Sequence, residues 1–227
     1  MAIRIGIVGC GAIANLHAAS YQKLGDRVEL VACCDVEKGR ADAFVERYGF
    51  KKSYSDEKQM LEECELDAVS VCTWNSQHKP CTMLALDAGV NVLCEKPAAA
   101  DEISLEAAIA AAERSGAVFA EAMRPAHDPA IARIRSALGE IGPIRSARFE
   151  FTQYSSRYDR FLAGERVNTF DRTLGNAALL DLGVYAISCA LMIFGEPQGE
   201  IVSRSAFLDC GFEASGNALL SYPEFVL

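Results

Sequence analysis

The first half of the chain alternates between two hydrophobic patterns. Short continuous apolar runs at 3–9, 28–35, 67–73, 91–95 and 117–123 have the length and the Val, Ile and Cys content of buried strands. Between them, apolar residues recur at helical spacing over 12–24, 37–48, 77–88 and 104–115, and Gly89 and Gly116 follow the last two of these stretches. Strands that are apolar throughout, joined by helices, predict a parallel sheet covered on both faces. The pattern changes near Met123. Residues 125–142 read as a helix with proline near its start and just past its end. Residues 143–156 alternate apolar and polar like a half-exposed strand, and 157–175 are polar and irregular. A long apolar helix is expected over 176–195, then two more strands within 200–210 and 214–227. Strands without intervening helices predict an antiparallel sheet in an α+β domain. The expected organisation is an α/β domain over 1–122 and a second domain over 123–227. The last residues, Ser221-Tyr222-Pro223-Glu224-Phe225, read as the turn of a hairpin that has only begun. The second domain is therefore expected to be incomplete, with open sheet edges that seek pairing.

Composition narrows the function more than the fold. A formal net charge of −9 leaves no basic surplus to neutralise phosphates, which argues against a nucleic-acid partner. No apolar run reaches the roughly 18 residues of a membrane-spanning helix, and the N-terminus lacks a signal-peptide cleavage pattern. Nine cysteines are scattered without a C-x-x-C pair. That spacing predicts no metal site and suits reduced, buried thiols in a cytoplasmic protein.

The turn after the first strand is Gly9-Cys10-Gly11-Ala12-Ile13-Ala14, a G-x-G-x-x-A between strand and helix. Gly9 permits the tight turn, Gly11 lets the backbone approach a pyrophosphate, and Ala14 allows close helix–sheet packing. The N–H groups opening the helix, from Ala12 and Ile13 onward, favour the phosphate charge. Asp35 ends the second strand, where an acid would bind an adenosine ribose. It would repel a 2′-phosphate, which favours NAD, yet Lys38 and Arg40 are close, so NADP stays open.

Two further strand ends carry chemistry. Thr73, Trp74 and Asn75 follow the strand at 67–73, where open parallel sheets bind ligands. Trp74, the only tryptophan, either covers a cofactor ring or packs under a loop. His78 is either a cofactor contact or an exposed residue at a helix start. Glu95, Lys96 and Pro97 follow the strand at 91–95, and the proline restricts how Lys96 projects. Asp181 and Tyr185 lie four apart on the apolar helix and share a face. Asp181 is there for chemistry or as an exposed acid near a helix N-terminus. Arg124 and Arg157 are either substrate contacts or members of surface salt bridges.

The segments GIVGCGAIA, CTWNSQH, AGVNVLCEKP and ALLDLGVY, in this order, resemble the Gfo/Idh/MocA oxidoreductase family over residues 3 to about 197. The resemblance implies a Rossmann domain followed by an α/β domain with a mainly antiparallel sheet that commonly mediates homo-oligomerisation. It implies an NAD(P)-dependent dehydrogenase acting on a sugar, cyclic polyol or trans-dihydrodiol. Lys96 matches the active-site lysine. Thr73, Asn75 and His78 match the loop near the nicotinamide half of the cofactor, with Trp74 replacing a commoner proline. Glu95 matches a residue beside the nicotinamide ribose. Asp181 matches an aspartate of the active-site helix, and Tyr185 stands where a histidine acid/base is commoner. That is similar to the branch containing dihydrodiol dehydrogenase and glucose–fructose oxidoreductase. A free phenol, with a pKa of about 10, is a poor base at neutral pH, and a nearby ammonium favours its ionised form, so Lys96 and Tyr185 are expected to work together. The competing expectation is a non-catalytic cofactor- or sugar-binding regulator, or an inactive truncated homologue.

Overall fold

A computed structural model describes all 227 residues. The chain forms two compact units, Met1–Ala122 and Met123–Leu227.

The first unit is a doubly wound α/β sheet. Its strands are β1 (Ile3–Val8), β2 (Val28–Cys34), β3 (Lys52–Tyr54), β4 (Ala68–Val71), β5 (Asn91–Cys94) and β6 (Phe119–Glu121). All pairings are parallel and the order is β3-β2-β1-β4-β5-β6. The order reverses between β1 and β4, which opens a crevice at their carboxyl ends. The helices are α1 (Ala12–Gln22), α2 (Lys38–Tyr48), α3 (Glu57–Glu63), α4 (Asn75–Asp87) and α5 (Glu102–Ser115).

Strand residues alternate between the two faces, and both faces are covered. Ile7 and Cys33 pack with Ala14, Ala18, Phe44 and Tyr48 on the α1–α2 side. Val8, Cys34, Val71 and Cys94 pack with Met60, Ala85, Leu86 and Ala108 on the side of α3, α4 and α5. Two buried faces explain why these strands read as unbroken apolar runs. Cys33, Cys72 and Cys94 are buried in this core, and all nine thiols are free. Burial pushes the Cys34 and Cys94 thiols up to about 12, so neither supplies a thiolate nucleophile.

Two elements escaped the sequence pattern. β3 has three residues and α3 has seven, too short to show a period. The Asp56 carboxylate starts α3 by accepting the Gln59 N–H at 2.8 Å. α5 begins at Glu102 rather than Ser104, because Asp101 caps it and accepts the Ser104 N–H at 2.8 Å. α4 begins at Asn75 rather than residue 77.

Glu57, the first residue of α3, is buried, and its Oε1 has no hydrogen-bond partner. Burial raises its carboxyl from 4.5 to about 7. Between those values the folded chain binds more protons than the unfolded one, so stability falls as pH rises through this window. Above it the cost is constant, roughly 1–3 kcal/mol. Glu57→Gln is expected to remove that cost. Thermal melts should show the variant gaining several degrees over wild type at pH 8 and little at pH 4.5. Equal gains at both pH values would contradict the assignment.

The second unit begins with α6 (Pro129–Ala137), capped by Asp128, which accepts the Ala130 N–H at 2.9 Å. It continues through α7 (Tyr158–Leu162) to α8 (Val184–Phe194), against which α6 packs. β7 (Ile201–Phe207) and β8 (Glu213–Leu220) form a two-stranded antiparallel sheet. The final residues turn back as a hairpin, with Tyr222 stacked on Phe225 and Leu227 paired to Leu220.

Two expectations fail here. Residues 143–156 form no strand and make only an isolated bridge, Ser146 to Val226. Their alternation marks a half-exposed surface, but without a neighbouring ladder that surface does not become a strand. The helix at 176–195 is not regular either. It opens with a π turn, Leu179–Gly183, and becomes α-helical at Val184.

Candidate functional site

Four strand exits of the first unit lie at the carboxyl edge of the sheet. At the β1 exit, Gly9 has φ +88° and donates its N–H to the Cys34 carbonyl at 2.8 Å. A Cβ on Gly9 would lie 2.8 Å from the backbone C and O of Cys72, so the glycine loop sits directly against the β4 exit. Gly11 is different. It caps α1 with ordinary backbone angles, and a Cβ there would meet nothing within 4 Å. The fold does not require glycine at 11, and the space beside it is open. No side chain caps this helix and no acid occupies its first turn, so the amides at Ala12 and Ile13 open α1 without a competing carboxylate. Ala14, fully buried, sets the close packing of α1 on the sheet.

Asp35, at the β2 exit, is buried and ties two loops together. One oxygen accepts the Cys10 N–H and the other the Glu37 N–H, both at 2.9 Å. A carboxylate has about four acceptor positions, so capacity remains for ribose hydroxyls. The nearby cations are engaged locally, Lys38 with Asp42 at 2.5 Å and Arg40 with Glu37 at 2.9 Å.

At the β4 exit, Thr73 and Asn75 are half-buried. Trp74 is 46% exposed, so it does not pack under a loop. His78 corrects the expectation of a surface residue. It is 1% exposed, with Nδ1 2.7 Å from the Pro97 carbonyl and Nε2 3.2 Å from the Thr73 carbonyl. Its ring reaches the site only through the two loops it joins, so a direct cofactor contact gives way to a supporting one.

At the β5 exit, Lys96 is half-buried and its peptide bond to Pro97 is cis. Glu95 is buried and turned inward. Its Oε1 lies 2.8 Å from His17 Nε2, and its Oε2 accepts the Lys96 backbone N–H at 3.2 Å. His17, with Ser70 and Tyr21 behind it, was not singled out in the sequence. The available signal was the His17–Tyr21 pair at helical spacing on the side of α1 that also buries Ala14 and Ala18.

In the second unit, Asp181 lies on the π turn and is exposed, while Tyr185 is half-buried one turn on, its ring 5.7 Å from that of Phe151. π turns occur disproportionately at functional sites. Arg124 is exposed, and Arg157 donates to Thr169 Oγ1 at 3.3 Å. No group of three or more His, Cys, Asp or Glu side chains is arranged to hold a metal ion, and no helix is long and apolar enough to cross a membrane.

Comparison with known proteins covers both units. Residues 3–123 match a family model described as an oxidoreductase family with an NAD-binding Rossmann fold, and 131–227 match a GFO/IDH/MocA C-terminal domain. The scyllo-inositol 2-dehydrogenase (NADP(+)) IolU of Bacillus subtilis is 33% identical, over 98% of this chain and 67% of its own length. The mouse trans-1,2-dihydrobenzene-1,2-diol dehydrogenase is 31% identical, over 98% of this chain and 66% of its own length. The chain thus spans about two thirds of the length of these relatives. Among solved structures, the WlbA dehydrogenase of Bordetella pertussis, in complex with NADH and UDP-GlcNAcA, superposes with a TM-score of 0.87. That match has 21% identity and covers 100% of this chain and 70% of the other.

Proposed function

The chain belongs to the Gfo/Idh/MocA oxidoreductase family, and from that premise we propose that it is an NAD(P)-dependent dehydrogenase or reductase of the cytoplasm acting on a hydroxyl-bearing carbon of a small sugar, cyclic polyol or trans-dihydrodiol. The observation behind this reading is the convergence of the glycine loop, Asp35, Thr73–Asn75 and Lys96 at the strand exits that flank the β1–β4 switch point. The named relatives act on an inositol and a dihydrodiol, which supports this substrate class.

Bound nicotinamide would supply or accept the hydride. The chain's own residues do the rest. The α1 N-terminus and the open space at Gly11 receive the pyrophosphate. Asp35 accepts from the adenosine ribose, and Trp74 offers its exposed face at the β4 exit. Thr73 and Asn75 line that exit, with His78 holding it from below. Lys96 supplies positive charge where a substrate hydroxyl develops negative charge. Tyr185 exchanges the hydroxyl proton, and Asp181 accompanies it on the same helix. We read the cofactor as NAD, because Asp35 disfavours a 2′-phosphate and Lys38 and Arg40 are held by Asp42 and Glu37.

Titration with NADH and NADPH, followed by energy transfer from Trp74, tests the cofactor reading. NADH is expected to half-saturate the signal at a concentration at least about tenfold lower than NADPH. Saturation by NADPH first would reverse the preference, and no response to either would end the dehydrogenase reading.

A further inference from the structure

Three polar side chains beneath the site have no part in the reading above. His17 and Tyr21 lie on α1, and Ser70, fully buried, lies on β4. They form one hydrogen-bonded series. Tyr21 Oη is 2.5 Å from Ser70 Oγ, Ser70 Oγ is 3.2 Å from His17 Nδ1, and His17 Nε2 is 2.8 Å from Glu95 Oε1. The series ends at the Lys96 backbone N–H, which donates to Glu95 Oε2 at 3.2 Å.

The donors and acceptors run in one direction. A carboxylate only accepts, so His17 Nε2 donates to Glu95. A neutral ring then presents Nδ1 as an acceptor, and the single Ser70 hydroxyl hydrogen fills it. Ser70 Oγ in turn accepts from Tyr21, whose phenol burial keeps in its protonated form. Each hydrogen is used once. A charged ring would bring a second N–H to the series and leave either the Ser70 or the Tyr21 hydrogen without an acceptor in it.

We propose that His17 is a positioning residue for Lys96: held as its Nε2–H tautomer by Ser70 and Tyr21, it fixes the Glu95 carboxylate, which fixes the Lys96 backbone at the sheet edge. Because α1 also opens on the glycine loop, the same helix places the pyrophosphate-binding amides and, through this pair, the lysine. The Glu95 carboxylate is thereby committed inward, and its part in the site is to hold Lys96.

The activity consequence rests on the dehydrogenase reading, so the test has arms that do not use turnover. In 15N-histidine-labelled protein, which has three histidines, the resonances lost in His17→Gln identify His17. They should show a protonated Nε2 and a bare Nδ1 at neutral pH. A Glu95-facing nitrogen without a proton, or a ring averaging between tautomers, would overturn the proposal. Hydrogen exchange at the Lys96 amide should quicken about tenfold or more in His17→Leu and stay near wild type in His17→Gln, whose amide can still donate to Glu95. In an active enzyme, His17→Leu should lower kcat about 10- to 100-fold and weaken NADH binding in the same direction as Lys96→Met, by no more than that variant does. A folded His17→Leu with wild-type kcat and Lys96 exchange sinks the proposal. If that variant does not fold, Ser70→Ala takes its place and should loosen the tautomer while keeping the fold. Wild-type protein that binds no NADH would remove the functional reading and leave the tautomer and exchange arms to decide this one.

Discussion

Gly9→Ala is expected to cost about 4 kcal/mol of stability and to abolish NADH binding. Two effects add. An L side chain at φ +88° is strained by about 1–2 kcal/mol. The new Cβ would also lie 2.8 Å from Cys72 C and O and 2.9 Å from Thr73 N. These are backbone atoms, not the flexible tip of a side chain, so a segment of chain must move. The segments available are the glycine loop and the β4 exit, and both belong to the proposed cofactor site. Movement would strain the bonds from Gly9 N–H to Cys34 and from Cys72 N–H to Val8, at 2.8 and 2.7 Å. Gly11→Ala is the control. Its φ is −82° and its Cβ would meet nothing within 4 Å, so its stability should stay within about 0.5 kcal/mol of wild type. NADH affinity should still fall, because the methyl occupies the open space proposed to take the pyrophosphate. Denaturant unfolding and NADH titration of the two variants separate a glycine required by the fold from one required by the ligand. Tight NADH binding by Gly11→Ala would show that the open space has another use.

What the sequence made legible follows from where residues answer to local rules. The parallel sheet, its glycine loop and the strand-end acid were readable because each strand is buried on both faces and each exit carries its own turn chemistry. Lys96 was readable for the same reason, as a cation placed beside a proline at a strand end. Features set by tertiary contact were not. His78 sits at a helix start like any surface residue, and its burial between the Pro97 and Thr73 carbonyls is a matter of tertiary contact. Glu95 reads as a ligand-facing acid because nothing local says that His17, 78 residues earlier, will hold it. The alternating run at 143–156 shows the converse. Its period is that of a strand, but strand formation depends on a partner supplied from elsewhere in the fold. The π turn at Leu179–Gly183 shifts the hydrogen-bond ladder without changing the apolar pattern that announced the helix.

Lys96→Met and Tyr185→Phe are each expected to lower kcat/KM about 10²- to 10⁴-fold, the range for loss of a positioned acid/base or charge-stabilising group. Each substitution keeps a contact of the residue it replaces. The Lys96 bond to Glu95 uses the backbone N–H, so methionine keeps it. Phenylalanine keeps the ring of Tyr185 against Phe151 and removes only the hydroxyl. The two should differ in a second readout. Lys96 follows β5 at the carboxyl edge of the sheet, where the cofactor is proposed to bind, so its loss should weaken NADH binding as well as turnover. Tyr185 lies in the second unit and acts in the proposal on the substrate proton alone, so Tyr185→Phe should lower kcat at an unchanged NADH dissociation constant. Asp181→Asn belongs with Tyr185 if the two serve the same proton and should reproduce its pattern. A screen of inositols, sugars and dihydrodiols at the nicotinamide absorbance band supplies the assay. Undiminished turnover in Lys96→Met or Tyr185→Phe refutes the role given to that residue. Wild-type chain that binds NADH yet turns over none of these substrates favours the competing reading, a cofactor-binding regulator or inactive homologue built on the same sheet.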